Sequence, residues 1–185
     1  MQLSEQEQIR RDALNELTSL GINPYPQAEY EVNAYADDIL KRFPDDNSLF
    51  QEVSLAGRIM SRRIMGAAAF AELKDATGRI QLYFKRDDIC PGEDKTMYNT
   101  VFKRLLDIGD IIGVKGFVFT TKMGEITVHV TEFTVLSKSL RPLPIVKEKE
   151  GKVYDAFTDP DQRYRQRYVD LIVNDHVKDN FIKRA

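Results

Sequence analysis

Residues 53–88 read VSLAGRIMSRRIMGAAAFAELKDATGRIQLYFKRDD, and their apolar residues recur at about every second position. Successive side chains of a β-strand point to opposite faces, so this period indicates three consecutive strands. The first begins at Val53, the second spans 67–74 and the third spans 79–85. The DATG sequence between the second and third strands is typical of a turn, which predicts that these two strands form a hairpin.

The residues that follow predict the rest of a barrel. Residues 96–106 carry apolar residues at helical spacing, and two further alternating stretches follow at 111–121 and 125–136. Three strands, a helix and two strands are the order of an OB-fold, a five-stranded barrel that binds oligonucleotides on the face of strands two and three. An SH3-like barrel is the competing fold, and the helix between strands three and four favours the OB-fold.

Helical segments and a linker flank the predicted barrel of residues 51–138. Residues 1–50 form an N-terminal extension, whose first helix begins after Ser4 in a capping-box sequence. Residues 139–158 are rich in proline and charge and predict an interdomain linker. Residues 159–185 begin a second, helical segment. The predicted fold class is therefore mainly β with helices, of the α+β type.

Composition excludes several classes of function. The chain has 185 residues, a net charge of -2 and 42% hydrophobic residues, as expected of a soluble globular protein. Cys90 is the single cysteine, and the two histidines, His129 and His176, are isolated, so we expect no disulfide and no metal site. Phosphate-loop and nucleophile-elbow motifs are absent from the sequence, so we expect no catalytic residue and no bound cofactor. The sequence also lacks a signal-peptide pattern and any run of about 18 apolar residues, so we expect a cytoplasmic protein without a membrane span.

Charge is distributed unevenly along the chain. Residues 58–86 hold seven Lys and Arg against two acidic residues, whereas residues 1–50 hold four against ten. A local basic patch in a nearly neutral chain is a feature of nucleic-acid-binding surfaces. A solvated charged face of a sheet would have the same composition, so both interpretations remain open on charge alone.

Strand parity predicts which side chains share the outer face of the barrel. On the second strand the small and apolar residues are the natural core set, which places Phe70 outward. The predicted outer face then gathers aromatic, basic and hydrogen-bonding groups, namely Arg58, Arg62, Phe70, Gln81, Tyr83, Lys85 and Glu125. Unpaired bases bind by stacking on aromatic rings and by polar contacts to their edges. The alternative is that Phe70 covers another element, such as the N-terminal helix.

The stretch 53–88 resembles the anticodon-binding OB domain of bacterial class II lysyl-tRNA synthetases. So do LGINPYP after the first helix, GDIIGVKGFVFTTKMGEITVHV, and SLRPLP followed by RYRQRYVDLI, and the resemblance covers nearly the whole chain. Aspartyl- and asparaginyl-tRNA synthetases share the fold, but the RRIMG and RYRQRY sequences are similar to the lysyl enzymes. The sequence AAAF departs from the GKASF common in that family, so Ala67 stands where relatives commonly have a lysine, and the resemblance implies that one candidate phosphate contact is absent.

The resemblance implies a role for each of several outer residues. Phe70 would stack on the middle uracil of the anticodon, and Gln81 would read the edge of that base. Arg62 would contact the uracil-rich anticodon, and Glu125 would read a neighbouring base. The candidate phosphate contacts are Arg58, Arg63 and Lys85.

The resemblance also implies a longer parent enzyme, a homodimer that attaches lysine to tRNA(Lys) with ATP and Mg²⁺. The first class II motif would begin near NFIKRA, and the second and third motifs would lie beyond residue 185. Residues 159–185 would then be the truncated start of the catalytic domain, and this chain would bind the tRNA anticodon loop without catalysing. A general single-strand-binding OB module is the alternative function. A protein-interaction barrel is a third, which the basic and aromatic outer residues disfavour.

Overall fold

The computed structural model describes residues 3–26, 28–144, 147–149, 152–154 and 157–184. They form two compact units, Met1–Arg141 and Pro142–Ala185. The first unit contains a β-barrel with the N-terminal extension packed into the same core. The second contains a short hairpin and three helices.

The barrel is closed by five strands in the order β1-β2-β3-β5-β4. Their bounds are β1 Val53–Met65, β2 Ala68–Lys74, β3 Arg79–Lys85, β4 Ile111–Thr120 and β5 Ile126–Ser137. The long β1 pairs with β2 and with β4, and β3 pairs in parallel with β5. This closure confirms the predicted OB-fold.

The parity predicted for β2 and β3 is confirmed by burial. Ala69, Ala71 and Leu73 on β2 are at most 3% exposed, and Ile80, Leu82 and Phe84 on β3 are at most 2% exposed. The residues between them are half-buried or exposed on the outer face. Small side chains from β2 therefore face the barrel interior, and Phe70 stands on the outside.

The helix predicted between strands three and four is present, but it is a π-helix, Met97–Leu105. Its hydrogen bonds run from residue i to residue i−5, as in the bond from the Leu106 amide to the Val101 carbonyl. Its buried face contributes Phe102, whose ring stacks on Phe84 with centroids 4.1 Å apart. The π-helix thus completes the apolar core of the barrel. A four-residue helix, α3 Arg86–Ile89, precedes it.

The N-terminal extension contains helices α1 Glu5–Ser19 and α2 Ala36–Arg42. The predicted capping box is present, because the Ser4 hydroxyl accepts from the Glu7 amide and the Glu7 carboxylate accepts from the Ser4 amide. Leu17 is fully buried in the core shared with the barrel. The extension is therefore part of the same folded unit.

A buried ion pair lies where the chain leaves β5. Lys138 and Asp110 are both fully buried, with the Lys138 Nζ atom 2.9 Å from a carboxylate oxygen of Asp110. Arg10 of α1 donates hydrogen bonds to the carbonyls of Ser139 and Ile108. Helix α1 is thereby hydrogen-bonded to the segment that follows β5.

The second unit includes a two-stranded hairpin, β6 Lys147–Lys149 with β7 Lys152–Tyr154, inside the segment predicted as a linker. Three helices follow, α4 Pro160–Arg165, α5 Arg167–Val173 and α6 Asp175–Arg184. The side chain of Asp170 is buried and pairs with Arg163 and Arg167. This pairing joins α4 to α5.

Candidate nucleic-acid interface

An open cleft of about 450 Å³ lies on the outer face of β1, β2 and β3, beside the loop that joins β4 to β5. Its volume lies within the range of ligand-sized sites. The side chains that characterise it are Ser61, Arg63, Phe70, Gln81, Met123 and Glu125. Three of the four residues predicted to contact bases, Phe70, Gln81 and Glu125, therefore meet in one cleft.

Phe70 presents its ring to this cleft from the middle of β2. It lies directly opposite Tyr83 on β3, with ring centroids 5.1 Å apart and the ring planes tilted by 46°. The ring is half-buried and lines the open cleft. Phe70 thus has a supported ring that can stack on an unpaired base.

The aromatic surface extends beyond Phe70 across β3, β5 and β4. Tyr83 contacts His129 and Phe119, with ring centroids 5.1 Å and 6.1 Å away. His129 stacks on Phe117 at 4.7 Å. Sequence parity had not singled out Phe117 and Phe119, although their alternate spacing in β4 is the signal that would have identified them. We call these five residues (Phe70, Tyr83, Phe117, Phe119 and His129) the outer aromatic cluster.

The Gln81 amide is held on two sides. Its Nε2 atom donates to a carboxylate oxygen of Glu125 at 2.6 Å, and its Oε1 atom accepts from the Thr127 hydroxyl at 3.0 Å. The parallel pairing of β3 with β5 sets Gln81 beside Thr127. Because this pairing joins residues 46 positions apart, the sequence did not predict the contact between Thr127 and Gln81.

The prediction that Arg62 shares the outer face with Phe70 is wrong. A β-bulge between Ile59 and Ser61 shifts the register, so Arg63 lies opposite Phe70 and Arg62 lies opposite the inward-facing Ala71. A bulge inserts one extra residue and therefore reverses the parity of every residue after it.

The two arginines consequently have different surroundings. Arg62 is half-buried and donates to the Phe102 carbonyl at 2.6 Å, and burial lowers the pKa of its guanidinium. Arg63 is exposed and lines the cleft. A contact between Arg62 and a base stays a prediction. The geometry favours Arg63 as the arginine beside a base stacked on Phe70.

The other two candidate phosphate contacts lie outside the cleft lining. Arg58 donates to the Gly109 carbonyl at 2.6 Å, and burial lowers the pKa of its guanidinium. Lys85 is on the outer face, as predicted, and forms an ion pair with Asp88 at 3.0 Å. Their contacts with phosphate stay predictions.

Arg79 and Met123 also line the cleft, although neither was among the predicted site residues. Arg79 on β3 forms an ion pair of 2.8 Å with Glu72 on β2, next to Gln81. Met123 lies in the loop between β4 and β5 and is 93% exposed. An apolar side chain so exposed at the edge of a cleft is available to pack on a bound ring.

Neither a metal site nor a membrane-spanning helix is found among the residues that the structure describes. Among these residues, no three His, Cys, Asp or Glu side chains are grouped closely enough to hold a metal ion. Within the same ranges, no helix combines the length and apolar character required to cross a membrane.

Comparison with known proteins agrees with the geometry of the barrel. A family described as "OB-fold nucleic acid binding domain" matches residues 53–136. A lysine–tRNA ligase of Porphyromonas gingivalis strain W83 is 66% identical over 186 residues, which cover 100% of this chain and 32% of that protein. A lysine–tRNA ligase of Azobacteroides pseudotrichonymphae is 59% identical over 99% of this chain and 36% of that protein.

A third relative, the lysine–tRNA ligase of Christiangramia forsetii, is 56% identical over 100% of this chain and 32% of its own length. The chain thus spans about a third of the length of the relatives that it matches. Residues 53–136 match the OB-fold nucleic acid binding family, and the chain as a whole is similar to the N-terminal third of these lysine–tRNA ligases.

Proposed function

We propose that the cleft binds the anticodon loop of tRNA(Lys). The observation that carries this proposal is that Phe70 and Gln81 line the same cleft from adjacent strands. A ring available for stacking next to a side chain that both donates and accepts hydrogen bonds is the combination that recognises a splayed-out base. Phe70 stacks on the middle uracil, and Gln81 reads its edge.

The neighbouring groups have complementary roles in this proposal. Arg63 supplies positive charge next to the stacked base, in the position that parity had predicted for Arg62. Glu125 lies at the loop end of the cleft, within reach of a neighbouring base. Arg58 on β1 and Lys85 on β3 are cations of the same barrel, and they attract the phosphate backbone at longer range.

The name that the relatives share, lysine–tRNA ligase, supports a role in a larger enzyme. The proposed full-length parent is a cytoplasmic lysine–tRNA ligase that attaches lysine to tRNA(Lys) with ATP and Mg²⁺ and acts as a homodimer. This chain spans about a third of such proteins, and its contribution is recognition of the anticodon. Lysine adenylation by this chain alone would contradict that division of roles.

A general single-strand-binding module is the second candidate function. The outer aromatic cluster favours it, because it offers a stacking surface wider than one base. The two functions differ in sequence preference. A general binder holds any oligonucleotide with strong salt dependence, whereas an anticodon reader prefers a uracil-rich loop.

The test is binding of the chain to an anticodon stem-loop with a UUU anticodon, compared with the same hairpin carrying UCU. Anticodon recognition predicts a clear preference for UUU, which Phe70→Ala abolishes. Loss of one stacked base weakens binding by about 5- to 150-fold. Tyr35→Ala is the control, because Tyr35 is 49% exposed and does not line the cleft. Equal binding of both hairpins, with both lost at high salt, would instead support the general module.

A further inference from the structure

The Gln81 amide has two possible orientations, and they read different bases. A glutamine side chain donates from its nitrogen and accepts at its oxygen, so rotating the amide by half a turn exchanges donor and acceptor. Uracil presents an acceptor, O4, next to a donor, N3–H. Cytosine presents a donor, the N4 amino group, next to an acceptor, N3. A freely rotating amide can therefore match either pyrimidine at the same position.

Glu125 fixes one end of this amide. A carboxylate only accepts hydrogen bonds, so the Gln81 atom that lies 2.6 Å from it is the nitrogen. The Gln81 oxygen then faces the Thr127 hydroxyl at 3.0 Å. The reversed amide would place its oxygen against the carboxylate, which is repulsive.

Thr127 fixes the other end. Its hydroxyl has one proton and two acceptors within reach, the Gln81 Oε1 atom at 3.0 Å and the Glu125 carbonyl at 3.2 Å. If the proton pointed to the carbonyl, lone pairs of the hydroxyl and of Gln81 would face each other at 3.0 Å. Donation to Gln81 avoids this repulsion. Because Thr127 is fully buried, solvent does not compete for its hydroxyl in the native chain.

We infer that Thr127 is a specificity-determining positioning residue, which together with Glu125 holds the Gln81 amide in the orientation that matches uracil and rejects cytosine. This inference rests on the proposed function, because it assigns the cause of the uracil preference. In the held amide, one Nε2–H and one Oε1 lone pair remain for the base, in the donor–acceptor order that O4 and N3–H of uracil require. Cytosine in the same position would meet donor with donor and acceptor with acceptor.

The experiment measures the ratio of dissociation constants for UCU and UUU hairpins with the native chain and three variants. Thr127→Val keeps the branched shape without the hydroxyl, Thr127→Ala is a second hydroxyl-free variant, and Thr127→Ser keeps the hydroxyl. Removing one hydrogen bond lowers the ratio by about fivefold in the Val and Ala variants. The Ser variant keeps the native ratio. Thermal unfolding of each variant confirms that the compared chains are folded.

The possible outcomes separate this inference from the proposed function. If the native chain does not distinguish the hairpins, the proposed function fails, and this inference fails with it. If the native chain prefers UUU and the Val and Ala variants have the same ratio of dissociation constants as the native chain, only the role of Thr127 is overturned. A Ser variant that loses the preference as fully as the Val variant also overturns it, because packing rather than the hydroxyl would then be responsible.

Discussion

Arg63 lies directly opposite Phe70 across the β1–β2 ladder, although strand parity had predicted Arg62 for the face that Phe70 occupies. The bulge before Ser61 causes this exchange. One inserted residue therefore decides which of two adjacent arginines faces the cleft.

Arg63→Ala should weaken binding of the UUU hairpin and lower its salt dependence. Each phosphate contact with a single strand contributes about 0.7 to the slope of log K against log salt concentration, so the slope should fall by about that amount. Titrations at several salt concentrations measure it.

Arg62→Ala is the matched control for this prediction. It removes the hydrogen bond to the Phe102 carbonyl, so the melting temperature should fall while the salt slope stays unchanged. A lower slope of log K against log salt concentration in the Arg62 variant, but not in the Arg63 variant, would show that the cleft is not the binding surface.

Met123 should become protected from oxidation when RNA binds. Its side chain is 93% exposed at the edge of the cleft, and a bound base would cover it. Mass spectrometry after treatment with hydrogen peroxide should show slower sulfoxide formation at Met123 in the presence of the UUU hairpin. Met65 is 45% exposed and does not line the cleft, so it serves as the internal control. Equal protection of both methionines would argue against binding in the cleft.

Lys138→Met should destabilise the barrel strongly, because it leaves the buried Asp110 carboxylate without its cation. Breaking a buried pair on one side costs about 3–5 kcal/mol in the free energy of unfolding. Lys115→Met is the control, since the Lys115–Glu132 pair is exposed on both sides and should contribute about 0–1 kcal/mol. Denaturant unfolding of both variants measures the difference, and similar losses would contradict the role of burial.

The cost of Lys138→Met should also depend on pH. Burial raises the pKa of Asp110 in the folded protein above its ordinary value of 3.8, against the opposing effect of Lys138 and of hydrogen bonds from the Asp107 and Ser139 amides. Losing Lys138 raises it further. A carboxyl group whose pKa is higher in the folded than in the unfolded protein contributes most to stability at pH values below its unfolded pKa. That contribution is lost as the pH rises through the pKa of the folded protein. The variant should therefore be closest to the native stability in acid and furthest from it at neutral pH.

Gly116→Ala should destabilise the barrel by displacing β4 from β5. A Cβ atom at this position would lie 1.9 Å from the His129 carbonyl oxygen, which is backbone and cannot move aside alone. Overpacking of this kind costs about 1–3 kcal/mol. Gly92→Ala is the control, because a Cβ atom on Gly92 would meet no other atom within 4 Å, and its stability should stay near the native value. Thermal unfolding of the two variants distinguishes a local clash from a general effect of losing glycine.

The sequence by itself determined the strands and the outward direction of Phe70 and Gln81. Both residues lie in short strands without a bulge, and a strict period of two assigns each side chain to a face from its neighbours alone. The capping box of Ser4 and Glu7 was also predictable, because its hydrogen bonds join residues three positions apart. In each case the information lies within a few residues of the chain.

Only the tertiary structure decided the details that give the cleft its chemistry. The bulge that turns Arg63 outward is a shift in the register of β1 against β2, between Ile59 and Ser61. The hydrogen bond from Thr127 to Gln81 needs the parallel pairing of β3 with β5, and the ion pair of Lys138 with Asp110 needs the antiparallel pairing of β4 with β5. These contacts join residues distant in sequence, so their geometry depends on how the strands meet rather than on any local pattern.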